Sequence, residues 1–340
     1  LFFISIAGIE LALWCKISSI YPIFHKLAVT KYRMIASKYN LVTVLGPTAS
    51  GKTAFAAELA HAAGGEIISA DSRQVYRKMN IGTGKDYTDY RVGDSMIPVH
   101  LIDIADPGYK YSVYEFQRDF VKAYSQITAS GKLPVLCGGS GMYIEAATRN
   151  YRLDFVPENA LLRKDLEDKT LDELKAMLEQ MKTLHNKTDV DTKEHAVRAI
   201  EIGEYYKQNV LHDSTLPHLN TLFLGVIYER QEERRRITER LEKRLKEGMV
   251  EEVNALLKSG ISPDSLVYYG LEYRYITLYL TGKLDFDTMK NQLNTAIHQF
   301  SKRQRTWFRK MEREGCVITW LNGEWPLEKK LQTALDLLKS

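Results

Sequence analysis

The chain has 340 residues, 44% apolar and 26% charged, with a net charge of +4 at pH 7. These values fit a globular protein with a large core and about two domains, and they exclude a disordered or collagen-like chain and any strong overall polyanion field. Cys15, Cys137 and Cys316 are far apart with no metal-ligand spacing, so neither a disulfide framework nor a zinc site is expected, which suits a reducing cytosol.

Residues Leu1 to Trp14 are almost all apolar, interrupted by Glu10 and followed by Lys16. That run is too short for an unaided membrane span and lacks the basic start and small-residue cleavage site of a signal peptide. Met34 stands seven residues before the first strand, so residues 1–33 are expected to come from a start site placed too far upstream. A membrane anchor is the rival reading. Residues 1–39 are set outside the fold on this basis.

Leu41 to Leu45, rich in β-branched and apolar side chains, predicts a buried parallel strand. It runs into Gly46-Pro47-Thr48-Ala49-Ser50-Gly51-Lys52-Thr53, a phosphate-loop pattern without a mismatch, and then into the helix-favouring Ala54–Ala60. In that order, backbone N–H groups and the helix N-terminus hold a di- or triphosphate, Lys52 adds charge, and Thr53 offers a hydroxyl to Mg²⁺. Gly64-Gly65 ends the helix, and Glu66–Ser69 is a second strand with Asp71-Ser72-Arg73-Gln74-Val75-Tyr76 at its carboxyl end. Ligands of such sheets lie outside the carboxyl ends of the strands, so Asp71 faces the reacting end of the ligand. Its alternative is a turn cap.

Asn80–Lys85 is a second glycine-bearing loop, weak evidence alone, and His100–Pro107 predicts a buried strand leaving through an Asp-Pro turn. Ser112 and Glu115 form a capping box for the next helix. Leu133–Cys137 is a further strand whose exit, Gly138-Gly139-Ser140-Gly141, brings Ser140 to the same crevice.

These segments, GPTASGKT, ISADSRQVYRKMNIGTGK, HLIDIADP with YSVYEF, and PVLCGGSGMYI, together resemble the tRNA dimethylallyltransferases, also called tRNA isopentenyltransferases. Similarity runs from about Asn40 to about Asn322. The resemblance implies transfer of a dimethylallyl group from dimethylallyl pyrophosphate to N6 of the adenosine 3′ of the tRNA anticodon. It implies an α/β fold, a P-loop NTPase-like core with a parallel sheet and an inserted helical tRNA-binding domain. Residues 40–148 and 221–340 form the core and 149–220 the insertion, whose helices are expected at Leu161–Asp168, Leu171–Met181 and Lys193–Tyr206. Here Asp191-Thr192-Lys193-Glu194-His195 departs from the family pattern, with His195 at an Arg position.

Leu222–Tyr228 returns to the sheet, and a long helix from Arg230 to about Lys258 carries Ile237, Leu241 and Leu245 as its core stripe. Arg236, Arg240 and Arg244 form the adjacent stripe. A solvated face paired with Glu232 and Glu239 is the expectation for Arg234, Arg235 and Arg244. Arg240 matches the family's phosphate-facing Arg. Counting back from Tyr279–Gly282, the family glycine falls on Glu272, where a carboxylate repels phosphate. The last long helix, Asp285 to about Arg313, is expected to bury Met289, Leu293, Ile297 and Phe300, with His298 at a further Arg position. It interleaves Lys302, Arg303, Arg305, Arg309 and Lys310 with Trp307 and Phe308, which suits single-stranded nucleic acid.

The resemblance assigns Asp71, Ser140 and Arg240 to catalysis, Gly46 to Thr53 to pyrophosphate, and Thr53 to Mg²⁺. It assigns Asp71, Ser72, Arg73, Gln74, Ser140, Arg163, Arg198, Lys302 and Arg303 to the anticodon stem-loop. A cytoplasmic monomer without a membrane attachment is expected. An adenylate isopentenyltransferase, a P-loop kinase of a small molecule and a non-catalytic RNA-binding relative are the alternatives. The basic last helix and the helical insertion favour tRNA.

Overall fold

The structure, a computed structural model, describes residues 37–149, 151, 153–181, 192–209 and 216–340, so the expectations for residues 1–33 lie outside them. A six-stranded parallel sheet forms the centre, in the order β5-β2-β6-β1-β7-β8. Its strands are β1 (Leu41–Leu45), β2 (Gly65–Ser69), β5 (Val99–His100), β6 (Leu133–Gly138), β7 (Thr221–Ile227) and β8 (Ile318–Asn322), while β3 (Arg91–Val92) and β4 (Ser95–Met96) form a separate hairpin. All five residues of β1 are buried, as a continuous apolar strand covered on both faces must be. Val44 is opposite Cys137 of β6 and Leu224 of β7, and Ile67 of β2 is opposite Val135 of β6. The neighbouring strands β2, β6 and β1 therefore end at one edge and deliver Asp71, Ser140 and the phosphate loop side by side.

Helix α1 (Lys52–Ala63) and the C-terminal helix α12 (Leu327–Lys339) cover one face of the sheet, where Phe55, Leu59, Val44, Leu224 and Leu338 pack together. The other face is covered by α2 (Val113–Ala129), α3 (Gly141–Thr148), α7 (Arg230–Lys246), α8 (Met249–Lys258), α9 (Pro263–Tyr268), α10 (Leu271–Leu280) and α11 (Phe286–Arg313). The capping box at α2 is formed: Ser112 Oγ accepts from the Glu115 N–H at 3.2 Å and Glu115 Oε2 from the Ser112 N–H at 2.8 Å.

Three sequence expectations are corrected. The strand expected over His100–Pro107 is only β5, because Leu101 and Asp103 take positive φ (60° and 53°) and turn the chain away; one bridge, Tyr76 to Ala105, remains. The helix expected from Arg230 to Lys258 breaks at Gly248, φ 100°, which lets α8 swing back onto the core through Met249, Val253 and Leu256. Phe300, expected inside, is 38% exposed, while Phe308 is fully buried.

The segment 149–220 contains α4 (Ala160–Asp165), α5 (Leu171–Met181) and α6 (Lys193–Gln208), which share a small core of Leu166, Leu174, Leu178, Ala196, Ala199 and Ile200. Beside it lies the buried carboxylate of Glu201. Arg163 donates to it through Nε (2.7 Å) and Nη2 (2.9 Å), Arg198 through Nη1 (2.9 Å), and the Asn159 N–H at 2.8 Å. Arg198 also donates to the Val156 carbonyl at 2.7 Å. Arg163 and Arg198, assigned to tRNA by resemblance, are thus anchored on an internal carboxylate while their side chains remain 37% and 35% exposed.

Burial alone would raise the pKa of Glu201, but the Arg163 hydrogen bonds, the Asn159 N–H and Arg198 outweigh it and hold the carboxyl down to about 2 from 4.5. A folded pKa below the unfolded one contributes stability above the unfolded value and loses it as pH falls through the folded value. The shift corresponds to about 3 kcal/mol. Acid titration followed by far-ultraviolet circular dichroism should show stability falling between pH 4.5 and 2. Glu201→Gln should be less stable at pH 7 and lose that dependence; a Gln variant with the wild-type acid profile contradicts the assignment.

Candidate active site

A cavity of about 1070 Å³ opens at the carboxyl ends of β1, β2 and β6 and is lined by residues of α7, α10 and α11. On its floor the phosphate loop enters α1 through Gly51, which adopts a left-handed conformation (φ 75°). Lys52 Nζ donates to the Pro47 carbonyl at 3.3 Å; burial pushes its ammonium below the usual range, while nearby Cys137 and Asp71 favour the charged form.

Opposite the loop, α7 presents Arg236, Arg240 and Arg244, spaced by four residues and therefore on one face. Arg236 Nε donates to the Ala49 carbonyl at 3.0 Å, and its guanidinium lies 4.4 Å from the Tyr228 ring centroid. Arg240 Nη1 donates to Thr48 Oγ1 at 3.3 Å, and Asp86 faces both Arg240 (3.5 Å) and Arg244 (3.2 Å). Burial and the neighbouring Arg244 lower the pKa of Arg240 to about 10, so it remains a cation at neutral pH. Arg244, expected on the solvated face, is buried and lines the cavity. Arg235 does occupy the solvated face, paired with Glu232 and Glu239 at 2.6 Å each.

The second glycine loop bears on this arginine pair. A Cβ at Gly84, φ 72°, would collide with the guanidinium groups of both Arg240 and Arg244. The loop is held from two sides. Gln74 Nε2 donates to the Gly84 carbonyl at 3.0 Å. Glu252 accepts the N–H groups of Asn80 (2.8 Å), Ile81 (2.8 Å) and Gly82 (3.1 Å) and the hydroxyl of Tyr273 (2.6 Å). Nothing in the sequence pointed to Glu252, because its partner loop lies about 170 residues away.

Asp71 Oδ1 accepts the N–H groups of Arg73 (2.9 Å) and Gln74 (3.3 Å), so the turn-cap role is real. Asp71 also lines the cavity. Ser140 Oγ accepts the Ser72 N–H at 3.1 Å and lies 3.4 Å from Ser72 Oγ, tying the exit of β6 to that of β2. Gln304, not singled out in the sequence beyond its place in the Lys-Arg-Gln motif, joins three elements. Its Oε1 accepts the Thr48 N–H at 2.8 Å and its Nε2 donates to the Gly139 carbonyl at 2.9 Å.

Along α11, Lys302 and Arg303 are exposed, and Arg303 lies 5.8 Å from the ring centroid of Phe300, which lines the cavity. Arg305 is instead paired with Glu233 at 2.7 Å, and Ser301 bonds the same carboxylate. Of the departures from the family pattern, His298 bonds Thr238 Oγ1 at 3.2 Å and joins α11 to α7; burial and Arg234 push its pKa below the usual range. His195 lies in the first turn of α6, its N–H capped by Thr192 Oγ1. Glu272 is in the cavity, where burial raises its pKa against the pull of Arg244 and Arg240. The special glycine conformation belongs to Gly270, φ 132°, beside Arg73, two residues before the position expected by counting.

The fold and site define a phosphate-loop α/β protein in which a cluster of cations adjoins a carboxylate and a basic, aromatic helix. A family model described as IPP transferase matches residues 74–311, and one described as isopentenyl transferase matches residues 39–94. The chain is 56% identical over 306 residues to a tRNA dimethylallyltransferase 2 of Bacteroides fragilis (strain YCH46), covering 90% of this chain and 99% of that protein. It is 57% identical to the Phocaeicola vulgatus tRNA dimethylallyltransferase 2, covering 88% and 98%. The crystal structure of the Bacillus halodurans tRNA isopentenylpyrophosphate transferase is similar, with a TM-score of 0.63 at 30% identity, covering 88% of this chain and 95% of that one. A eukaryotic dimethylallyltransferase acting on tRNA shares the fold, with a TM-score of 0.67 at 22% identity, covering 83% and 73%. The chain belongs to the IPP transferase family.

Gly84→Ala tests the arginine cradle without removing a charge. Strain at the left-handed position and the clash with Arg240 and Arg244 should weaken binding of inorganic pyrophosphate about tenfold, equivalent to about 1.4 kcal/mol. Titration calorimetry reads the effect, and unchanged affinity would show that the loop does not set the arginine pair.

Proposed function

We propose that this chain transfers a dimethylallyl group from dimethylallyl pyrophosphate to N6 of the adenosine 3′ of the tRNA anticodon, giving N6-isopentenyladenosine. One observation carries the proposal: a single cavity joins the phosphate loop and Arg240 to Asp71 and Ser140, and reaches Arg303 and Trp307 of the basic helix. A small-molecule kinase or an adenylate isopentenyltransferase has no need of that helix.

The chemistry follows from the charges. As the allylic C–O bond breaks, negative charge develops on the leaving pyrophosphate, and donors already aimed at it in a water-poor site stabilise the transition state. Lys52, the loop N–H groups and Arg240 are such donors. The adenine N6 amine is a poor nucleophile because its lone pair is delocalised into the ring. Its proton needs an acceptor as the N–C bond forms, and Asp71 is assigned that role. Two N–H groups hold Asp71 by Oδ1, which fixes the carboxylate without removing it from the cavity. Ser140 is assigned to the pyrophosphate end. The adenosine must leave its stack, which costs least in a single-stranded loop; Lys302, Arg303, Ser72 and Arg73 are assigned to its backbone and neighbours.

Mg²⁺ is the proposed metal. Thr53, Asp86 and Asp89 line the cavity and offer hard oxygen donors, and among the described residues no cluster of three His, Cys, Asp or Glu side chains could hold a metal by itself. That suits an ion held largely by substrate phosphates and water. Bound there, it would neutralise phosphate charge. A tRNA substrate supports a cytoplasmic setting. Among the described residues no helix is long and apolar enough to cross a membrane.

Incubation with dimethylallyl pyrophosphate, Mg²⁺ and unmodified tRNA, beside AMP and ATP controls, should give prenylated tRNA alone; a phosphorylated product or a prenylated nucleotide selects a rival reading. Asp71→Ala should lower turnover roughly 10²–10⁴-fold, the usual contribution of a general base, and near-normal turnover would remove Asp71 from that role. Arg240→Ala should weaken pyrophosphate binding and turnover together, whereas unchanged kinetics would leave Arg240 a structural partner of Asp86.

A further inference from the structure

Glu145 is a fully buried carboxylate with no part in the chemistry above. It sits in α3, five residues beyond Ser140, and accepts from Trp307 Nε1–H of α11 at 2.8 Å through Oε2. Arg149 Nη1 donates to Oε1 at 2.9 Å, and Lys310 Nζ lies 3.5 Å from Oε2. Arg149 and Lys310 also pair with Glu314, so two cations are shared between two carboxylates, and the indole and Tyr151 are the further partners of the buried one. A buried ion cluster of this kind gives little net stability compared with apolar packing, so its geometric effect is the more informative property.

That effect is to hold the Trp307 ring in one place. The ring is pressed against Gly141, where an added Cβ would overlap Cγ, Cδ1 and Nε1 of the indole, so only glycine lets it approach. Lys310 Nζ lies 4.9 Å from the ring centroid. The half-buried indole lines the cavity at the turn bearing Ser140, together with the apolar side chains of Met142 and Phe300. Gly139 of the same turn neighbours Lys52, since a Cβ there would come within 3.5 Å of Lys52 Cε. Trp307 and Lys52 thus line one cavity, each beside a glycine of the same turn, and the aromatic ring faces the space that continues from the phosphate loop.

We infer that Trp307 forms the wall for the hydrocarbon of the allylic diphosphate donor, and that Glu145 is the positioning residue that fixes its indole through Nε1–H. The inference rests on the proposed function for the identity of the donor, but it concerns donor binding alone. Phosphate binding is left to the loop and the arginines; Trp307 reads the carbon chain.

The test compares inorganic pyrophosphate with dimethylallyl pyrophosphate by titration calorimetry in the absence of tRNA, on the full chain. Glu145→Ala should weaken dimethylallyl pyrophosphate about tenfold, the scale of a lost apolar contact in a pocket, and leave pyrophosphate affinity unchanged. Glu145→Gln, which keeps a carbonyl oxygen for the indole N–H, should restore most of the loss. Trp307→Phe, which has no N–H, should produce the same selective loss, and adding Glu145→Ala to it should change nothing further. Thermal unfolding of each variant separates loss of fold from loss of the wall. The inference is overturned if Glu145→Ala weakens both ligands equally, if it weakens neither, or if its effect persists undiminished in Trp307→Phe. Failure of wild-type protein to prenylate tRNA while it binds the donor selectively would instead overturn the proposed acceptor and leave the wall in place.

Discussion

The site depends on three parallel strands ending side by side. β2, β6 and β1 are adjacent and in register, so the turns that follow them emerge at one edge of the sheet. None of the three turns could form a site alone. The phosphate loop offers N–H groups and a lysine, the β2 turn a carboxylate, and the β6 turn a hydroxyl and two glycines that allow close approach. Parallel pairing requires crossover connections, and those crossovers supply α1 and α2, which bury the two faces of the sheet and leave its carboxyl edge open.

Onto this edge the later half of the chain brings concentrated positive charge. Arg236, Arg240 and Arg244 share one face of α7, close to Lys52, which is costly in a buried setting without anions. Asp86 supplies part of the compensation, and burial, ahead of the neighbouring cations, lowers the pKa of Lys52 and Arg240. A site with cations so disposed binds a polyanion strongly, because the ligand relieves their mutual repulsion as well as making new contacts. Helix α11 completes the arrangement. Gln304 ties it to the phosphate loop and to the β6 turn at once, so the basic, aromatic surface of that helix is held in fixed relation to both.

Much of this was legible in the sequence because it is local. The phosphate loop, the strand before it and the helix after it occupy adjacent residues and obey periodicities that short stretches carry by themselves. The capping box at Ser112 and Glu115 is of the same kind. Where tertiary packing decided, the local pattern misled. Arg244 carries the same helical spacing as surface arginines, yet Asp86 draws it inside. Arg163 and Arg198 stand far apart in the sequence, yet both bond Glu201. The uniform helical pattern from Arg230 to Lys258 concealed a break that a single left-handed glycine permits.

By itself the sequence determined the phosphate-loop pattern, the order of strands and helices, and the carboxylate at the end of β2, since each is written in contiguous residues. Only the tertiary structure decided which charges face the ligand and which are spent on one another. It also revealed Glu252 beneath the second glycine loop, Gln304 between the turns and Glu145 behind Trp307. Those pairings join residues up to about 256 positions apart, and no periodicity encodes a hydrogen bond across such a distance. The phosphate loop is thus a local feature of the chain, while the packing of α3, α7 and α11 against it determines what surrounds it.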